Sequence, residues 1–333
     1  MTWVVWRQYR AQGAIALTLL AAFAAMELTT GFQMAAAWHS LLESCPASAR
    51  NGPGGNSSCS GGVIIGKLGN DLRVLSVLAP AIIGILLGAP LVAHEMETGT
   101  TTFAWTQGIT RSRWLLVKAG WLLLAAAAWS GAVSALVTFW SGPVNAMRGD
   151  QFAGDFFATQ GLVPVGYTVF ATALGITAGA LLRRTLPAIA VTIGGFIGVR
   201  LLVDALRPHF MPAVTTVISM TSTWSPAGIS WPLGSSVISR SGQALTSAVG
   251  VNGIPISAAC QKLVPLAPPP GPGSGNPGTA ALACMQSAGF RQTVTYQPGW
   301  RYWPFQGIET GIYLVLAAAL VAVAWYVLRR RDA

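Results

Sequence analysis

The chain has 333 residues, 53% of them hydrophobic and 9% charged, with a net charge of +10. A soluble globular domain carries about 25% charged residues. This composition, with mean hydropathy +0.55, therefore excludes an ordinary soluble domain and places the chain in the membrane class. The basic residues sit at the ends of apolar runs, which assigns them to lipid headgroups and topology and predicts no nucleic-acid partner.

Residues 1–12 carry Trp3, Val4, Trp6 and Tyr9 beside Arg7 and Arg10. At helical spacing this predicts a separate interfacial helix, with aromatics among the headgroups and arginines toward phosphates. Six apolar segments follow that can cross a bilayer, since about 20 residues cover about 30 Å of hydrocarbon. They are 13–37, 72–93, 114–140, 163–182, 186–203 and 307–328. The expected fold is all-α and integral to the membrane. Its parts are the interfacial helix (1–12), five spans with a hairpin at 94–113 (13–203), a loop subdomain (204–306) and a sixth span with a basic tail (307–333). Ala22-Phe23-Ala24 has the form of a cleavage site, but the apolar run continues past it, which predicts a retained span.

Glu27 lies well inside the first span. A charge there costs about 2.5–3.5 kcal/mol on insertion scales, so it faces protein or water. Two readings stand: contact with a translocation pathway or cargo, and structural pairing with a polar group such as Thr29 or Gln33 or one on another helix. Arg200 and Asp204, four apart at the end of the fifth span, are expected to pair along the helix. Gly175 and Gly179, and Gly194 and Gly198, have the GxxxG spacing that lets helices approach closely, here expected within one subunit.

Orientation follows from the basic residues near the spans. Arg7, Arg10, Arg111, Arg113, Arg183, Arg184 and Arg329–Arg331 all fall on one side of a six-span chain. The short loops on the other side, near 41–71 and 141–162, hold Arg50, Lys67 and Arg148. Both termini are therefore expected in the cytoplasm of a multi-pass plasma-membrane protein. Cys45, Cys59, Cys260 and Cys284 form two sequence-local pairs in loops that this topology places outside. Two external disulfides fit better than free thiols. No histidine lies at ligand spacing, so no metal site is expected.

The last external loop is too long for a mere connection. Its middle, 267–278, reads APPPGPGSGNPG and forms neither helix nor strand. With the scattered Trp224, Trp231, Trp300 and Trp303 this predicts a subdomain of short helices and irregular chain.

Catalytic motifs are missing from the sequence. There is no P-loop pattern G-x-x-x-x-G-K-[ST]. His94-Glu95 begins an HExxH motif, but Thr98 stands where the second ligand is needed. Gly271-Pro272-Gly273 sits in a proline run rather than after a strand, which excludes a dinucleotide fold. No enzymatic activity and no cofactor are expected in this chain.

The most specific stretch, 88–118, reads GAPLVAHEMETGTTTFAWTQGITRSRWLLVK. Glu95 and Glu97 follow the second span directly. Gly99 breaks the helix, and 100–107 can form a short amphipathic helix with Phe103 and Trp105. Gly108 breaks again, and Arg111 and Arg113 anchor the third span. Composition alone leaves two readings, a topology anchor and a lever for a partner. The stretch resembles the pattern GAPLVARE-x-E-x-GT-x-x-x-AWTQ-x-x-x-R-x-RW-x-x-x-K of the permease subunits of actinobacterial ABC-2-type transporters. It matches over 88–93 and at Glu95, Glu97, Gly99, Thr100, Ala104, Trp105, Thr106, Gln107, Arg111, Arg113, Trp114 and Lys118. His94 departs from it, where arginine is usual. Leu206-Arg207-Pro208-His209 and the run from Tyr296 to Glu309 also resemble that family.

The resemblance implies the membrane subunit of an ATP-driven exporter. Its hairpin would dock on a separately encoded ABC ATPase, which would hold ATP and magnesium. A second permease copy, identical or related, would complete the pair, with membrane lipids around it. Such permeases move lipids, polysaccharides, peptides and small drugs. Spans built of Ala, Leu, Val and Gly suit an apolar or amphipathic cargo. Two alternatives are a membrane sensor or resistance protein that uses an ATPase without bulk transport, and an ion-coupled transporter. The last is disfavoured by Glu27 being the one carboxylate well inside a span.

Overall fold

The computed structural model describes residues 2–44, 97, 110–148, 151–152, 154–220, 230–245, 250–251, 254–263 and 279–330. The predicted second span (72–93), most of the hairpin, Cys45, Cys59 and the proline-rich run lie outside the described residues. The chain folds into two compact units. One holds Met1–Gly149, Ala153–Arg207 and Trp303–Ala333, and the other holds Asp150–Phe152 and Pro208–Tyr302.

The first unit is helical: α1 (Thr2–Ser44), α2 (Arg111–Arg148), α3 (Gly154–Thr159), α4 (Val163–Leu182), α5 (Thr185–Leu206) and α7 (Tyr302–Arg330). Five of these are long and apolar enough to cross a membrane. The separate interfacial helix expected at 1–12 is not present as such, because α1 runs unbroken for 43 residues. Gly13 does not end it: one glycine costs about 1 kcal/mol relative to alanine, and alanines and leucines flank it. At about 1.5 Å per residue, α1 is about twice as long as the hydrocarbon core is thick. α2 also outruns its predicted end at Trp140, continuing through Pro143 to Arg148. Proline at that depth removes a backbone hydrogen bond, and the buried Asn145 just beyond it ties the extension down through a bond to Gln160 (2.8 Å).

α4 is the hub. Its most apolar window is 78% buried, against 11–33% for the other four spans. α2 packs against both α1 and α4, and α5 packs against α4. Trp114 and Leu115 of α2, Ile176 and Ala180 of α4, and Ala324 and Leu328 of α7 share one buried cluster. The start of α2 and the ends of α4 and α7 are therefore at one end of the unit, which we call the basic end. A two-residue connection joins α4 to α5 there. Arg183 takes the left-handed conformation (φ 53°) and donates its N–H to Gly179 O at 3.0 Å. Glycine usually fills that capping position.

Close approaches use glycines that spacing alone does not single out. A Cβ on Gly166 would stand 3.2 Å from Thr310 Cα, and one on Gly195 would stand 3.0 Å from Leu174 Cδ2. Gly194 and Gly198 have no neighbour among the described residues within 4 Å of an added Cβ.

The second unit corrects the expectation of short helices and irregular chain. It holds a three-stranded antiparallel sheet of β1 (Val214–Ser219), β2 (Trp231–Ile238) and β5 (Arg291–Gln297), in the order β1-β5-β2. A short pair, β3 (Gly250–Val251) and β4 (Ile254–Pro255), and the helix α6 (Thr279–Ser287) complete it. β5 pairs Val214 with Tyr296 on one side and Trp231 with Gln297 on the other. β2 tolerates Pro232 because it is an edge strand with a register shift between Pro232 and Gly234. Alternating Thr and Val fit a half-buried pleated surface, and hydroxyls meet across strands at Thr215–Thr295 (3.1 Å) and Ser236–Thr293 (2.6 Å). Met220, Val237, Ile256, Cys260, Ala281 and Met285 form the core. A disulfide joins Cys260 to Cys284.

Candidate functional site

At the basic end, the described residues of the predicted hairpin are Glu97 and those from Thr110 onward. Glu97 Oε2 accepts hydrogen bonds from the backbone N–H of Thr185 (3.1 Å) and from the Thr185 hydroxyl (2.5 Å). Arg184, which precedes α5, offers no side-chain cap. The first turn of a helix leaves N–H groups unsatisfied and favours negative charge, and Glu97 answers both from 88 residues away. Thr110 plays the local version of this role for α2, its hydroxyl accepting from the Arg113 N–H at 3.4 Å. Arg111 opens α2, and Arg113 is exposed. Lys118 lies over the Trp114 ring, Arg329 over Trp325 and Arg330 over Tyr326. Glu95, Gly99, Thr100, Phe103, Trp105, Thr106 and Gln107 lie outside the described residues.

At the opposite end, α4, α5 and α7 enclose a polar cluster. Arg207 is 3% exposed and Glu309 is fully buried. The guanidinium makes a forked contact, Nε to Oε2 at 2.7 Å and Nη2 to Oε1 at 3.0 Å. The Tyr167 hydroxyl also donates to Glu309, and Arg207 lies over the Phe157 ring, 4.4 Å from its centroid. The expected Arg200–Asp204 pair is not formed. Asp204 pairs with Arg207 instead, and Arg200 lies 4.5 Å over the Tyr167 ring. The i,i+4 rule describes an isolated helix surface; here the buried acid on α7 draws Arg207 inward, and Asp204 follows it at i,i+3. Among the described residues two cations and two carboxylates balance in the cluster, which lowers the desolvation cost of its buried pair, Arg207 and Glu309. Beside it the fully buried Tyr313 packs edge-on to Tyr167, with centroids 4.8 Å apart, and its hydroxyl has no hydrogen-bond partner among the described residues.

Glu309 also corrects the idea that Glu27 is the one carboxylate inside a span. The signal was in the sequence: Glu309 falls within the predicted sixth span, and a carboxylate there is a site hypothesis by default. Glu27 itself is fully buried in α1. The Thr29 hydroxyl turns back to Ala25 O (2.8 Å) and Met26 O (3.0 Å), and Gln33 is exposed.

A second polar knot holds the connection into α4. The carboxamide of Gln306 on α7 accepts from the N–H groups of Leu162 and Val163, both at 2.9 Å, and donates to Phe157 O at 3.0 Å. Gly161 between them has φ +71°, and a Cβ there would meet Gln306 Oε1 at 2.8 Å. From α2, Ser134 donates to Gly161 O (2.6 Å) and Thr138 accepts from its N–H (3.1 Å). The start of α4 is thereby fixed by residues distant in sequence.

Among the described residues no three His, Cys, Asp or Glu side chains converge as metal ligands. The buried Tyr167, Arg207, Glu309 and Gln306 are used in contacts between elements. Together, the apolar helices and the charges gathered at helix ends define a multi-pass helical membrane protein. The profile of the family described as ABC-2 membrane transporter related matches residues 17–207. That is over half of the chain, and the chain belongs to this family, whose members are transmembrane subunits of transporters. The match ends where the second unit begins. No curated protein and no solved structure matches the chain.

Proposed function

We propose that this chain is the permease subunit of an ATP-driven ABC-2-type exporter. It crosses the plasma membrane six times, with both termini and the basic end in the cytoplasm. A separately encoded ATPase binds ATP and magnesium and presses on hairpin 94–113, and a second permease copy completes the transporter. The cargo class is an apolar or amphipathic small molecule, peptide or lipid. In this topology both cysteine pairs face the oxidising side, where a disulfide persists.

The observation that carries the reading, beyond family membership, is the Glu97–Thr185 contact. It gives the hairpin a direct hold on α5, and α5 carries Asp204 toward Arg207 and the polar cluster. A push on the hairpin therefore has a covalent and hydrogen-bonded route to the far end of the helices. A second reading, a sensor or resistance protein that uses an ATPase without bulk transport, draws on the second unit having its own core.

The test is reconstitution of the permease with its ATPase in proteoliposomes. Trp105→Ala and Glu95→Ala should leave the permease folded and abolish its effect on the ATP hydrolysis rate. Unchanged coupling in both variants overturns the hairpin role.

A further inference from the structure

The second unit is almost free of negative charge. Residues 208–302 contain no Asp or Glu, while they contain Arg240, Lys262, Arg291 and Arg301. The unit's only carboxylate by sequence is Asp150, outside the described residues. Arg301 is engaged locally, donating to Pro212 O (2.5 Å) and Gln297 Oε1 (2.7 Å) and stacking near Trp300. Arg240 and Arg291 are exposed, and among the described residues neither meets a carboxylate.

Both line one cleft of about 770 Å³, within the range of about 300–1,000 Å³ typical of small-molecule sites. Each is positioned by rigid structure. Arg291 opens the central strand, where Ser219 of β1 and Ile238 of β2 are its cross-strand partners. Arg240 follows β2 in a turn closed by hydrogen bonds between Ser239 and Gln243 and between Gly242 and Ser239 (both 2.9 Å). Its stem passes the Gly289 turn, where a Cβ would lie 3.5 Å from Arg240 Cβ; Gly289 has φ +83°, a conformation that favours glycine. The Cys260–Cys284 disulfide holds α6, from which this turn descends. The rest of the lining is mixed: Val217, Ile238 and Phe290 are apolar, and Ser219 and Ser239 bring hydroxyls.

We infer that this cleft binds an anionic amphiphile, its phosphate or carboxylate head on Arg240 and Arg291 and its apolar body along Val217, Ile238 and Phe290. Guanidinium forks match such heads in geometry as well as charge. With no internal acid to compete, the whole unit's field favours an anion. The head can come from a lipid headgroup or from a free organic anion. The inference does not rest on the exporter reading, because binding needs no ATPase.

The test uses the full chain in phosphatidylcholine nanodiscs, titrated with 1-naphthyl phosphate and with 1-naphthol by calorimetry, with empty nanodiscs subtracted. The phosphate should bind and the neutral naphthol should bind at least about tenfold more weakly. Arg240→Ala and Arg291→Ala should each weaken the phosphate about tenfold, and Arg240→Lys and Arg291→Lys should recover part of it. Nanodiscs containing phosphatidylglycerol distinguish the sources. Loss of apparent affinity in the wild type, absent in the alanine variants, identifies a headgroup as the resident ligand; unchanged affinity identifies a free solute. Equal binding of both probes, wild-type affinity in both alanine variants, or no binding of the phosphate overturns the inference.

Discussion

Arg207 and Glu309, 102 residues apart in sequence, grip each other through two hydrogen bonds in the buried space between α5 and α7. The pair fastens the last helix to the fifth, and Tyr167 of α4 joins through Glu309. Removing one member of such a pair leaves an uncompensated buried charge, at a cost of about 3–5 kcal/mol. Arg207→Ala and Glu309→Ala should each lower the thermal unfolding midpoint sharply in detergent. The double variant Arg207→Met with Glu309→Leu should lie well above either. A double variant as unstable as the singles would show that the pair is not what holds these helices.

Gln306 offers a separate test of how α4 is set. Gln306→Ala leaves the buried N–H of Val163 unpaired, at about 1–3 kcal/mol, while the N–H of the half-exposed Leu162 can turn to water. We expect loss of stability with α4 itself still helical. Gly161→Ala should be comparably harmful, because its φ and the nearness of Gln306 both exclude a side chain. Circular dichroism melts of both variants in detergent decide the matter, and wild-type melting would refute it.

The Glu97 contact is accessible to hydrogen exchange. Loss of a helix cap costs about 0.5–2 kcal/mol. Glu97→Ala should therefore speed amide exchange in the peptide covering Thr185 several-fold in the permease alone. Thr185→Val, which loses only the hydroxyl bond, should do so less, and Thr185→Ser should behave as wild type. Unchanged exchange in Glu97→Ala would remove the structural basis for transmission from the hairpin to α5.

Glycines separate contacts inside the subunit from any outside it. Gly166→Ala pushes on the backbone of α7 at Thr310, an overpacking that costs about 1–3 kcal/mol. Gly194→Ala meets nothing among the described residues and should leave monomer stability unchanged. If Gly194 and Gly198 pack against a second copy, Gly194→Val should shift the detergent-solubilised protein toward monomer in light scattering at constant monomer stability.

The membrane helices were legible because length and apolarity are local properties. The predicted span 163–182 coincides with α4, and 186–203 falls within α5. The ends of α1 and α2 are not legible, since both helices continue past the apolar stretches that set the predicted limits at 13, 37 and 140. The sheet is not legible for a different reason. RQTVTYQ alternates in part and VTTVIS does not, and Val214 meets Tyr296 across 82 residues, a pairing that leaves no local trace. The same holds for the polar cluster. Asp204 has Arg200 at one spacing and Arg207 at another, and only the position of Glu309 on α7 decides between them. Glu97 stands out as a hairpin residue, but its partner Thr185 opens α5, with no motif of its own.

The central claim is that the chain works as the membrane half of an ATP-driven transporter. Its most direct test is purification of the protein from its native membranes in mild detergent, followed by mass spectrometry of what accompanies it. The account predicts a P-loop ATPase at stoichiometric level, lost or weakened in Trp105→Ala. Intact, folded protein recovered without any such ATPase would contradict it.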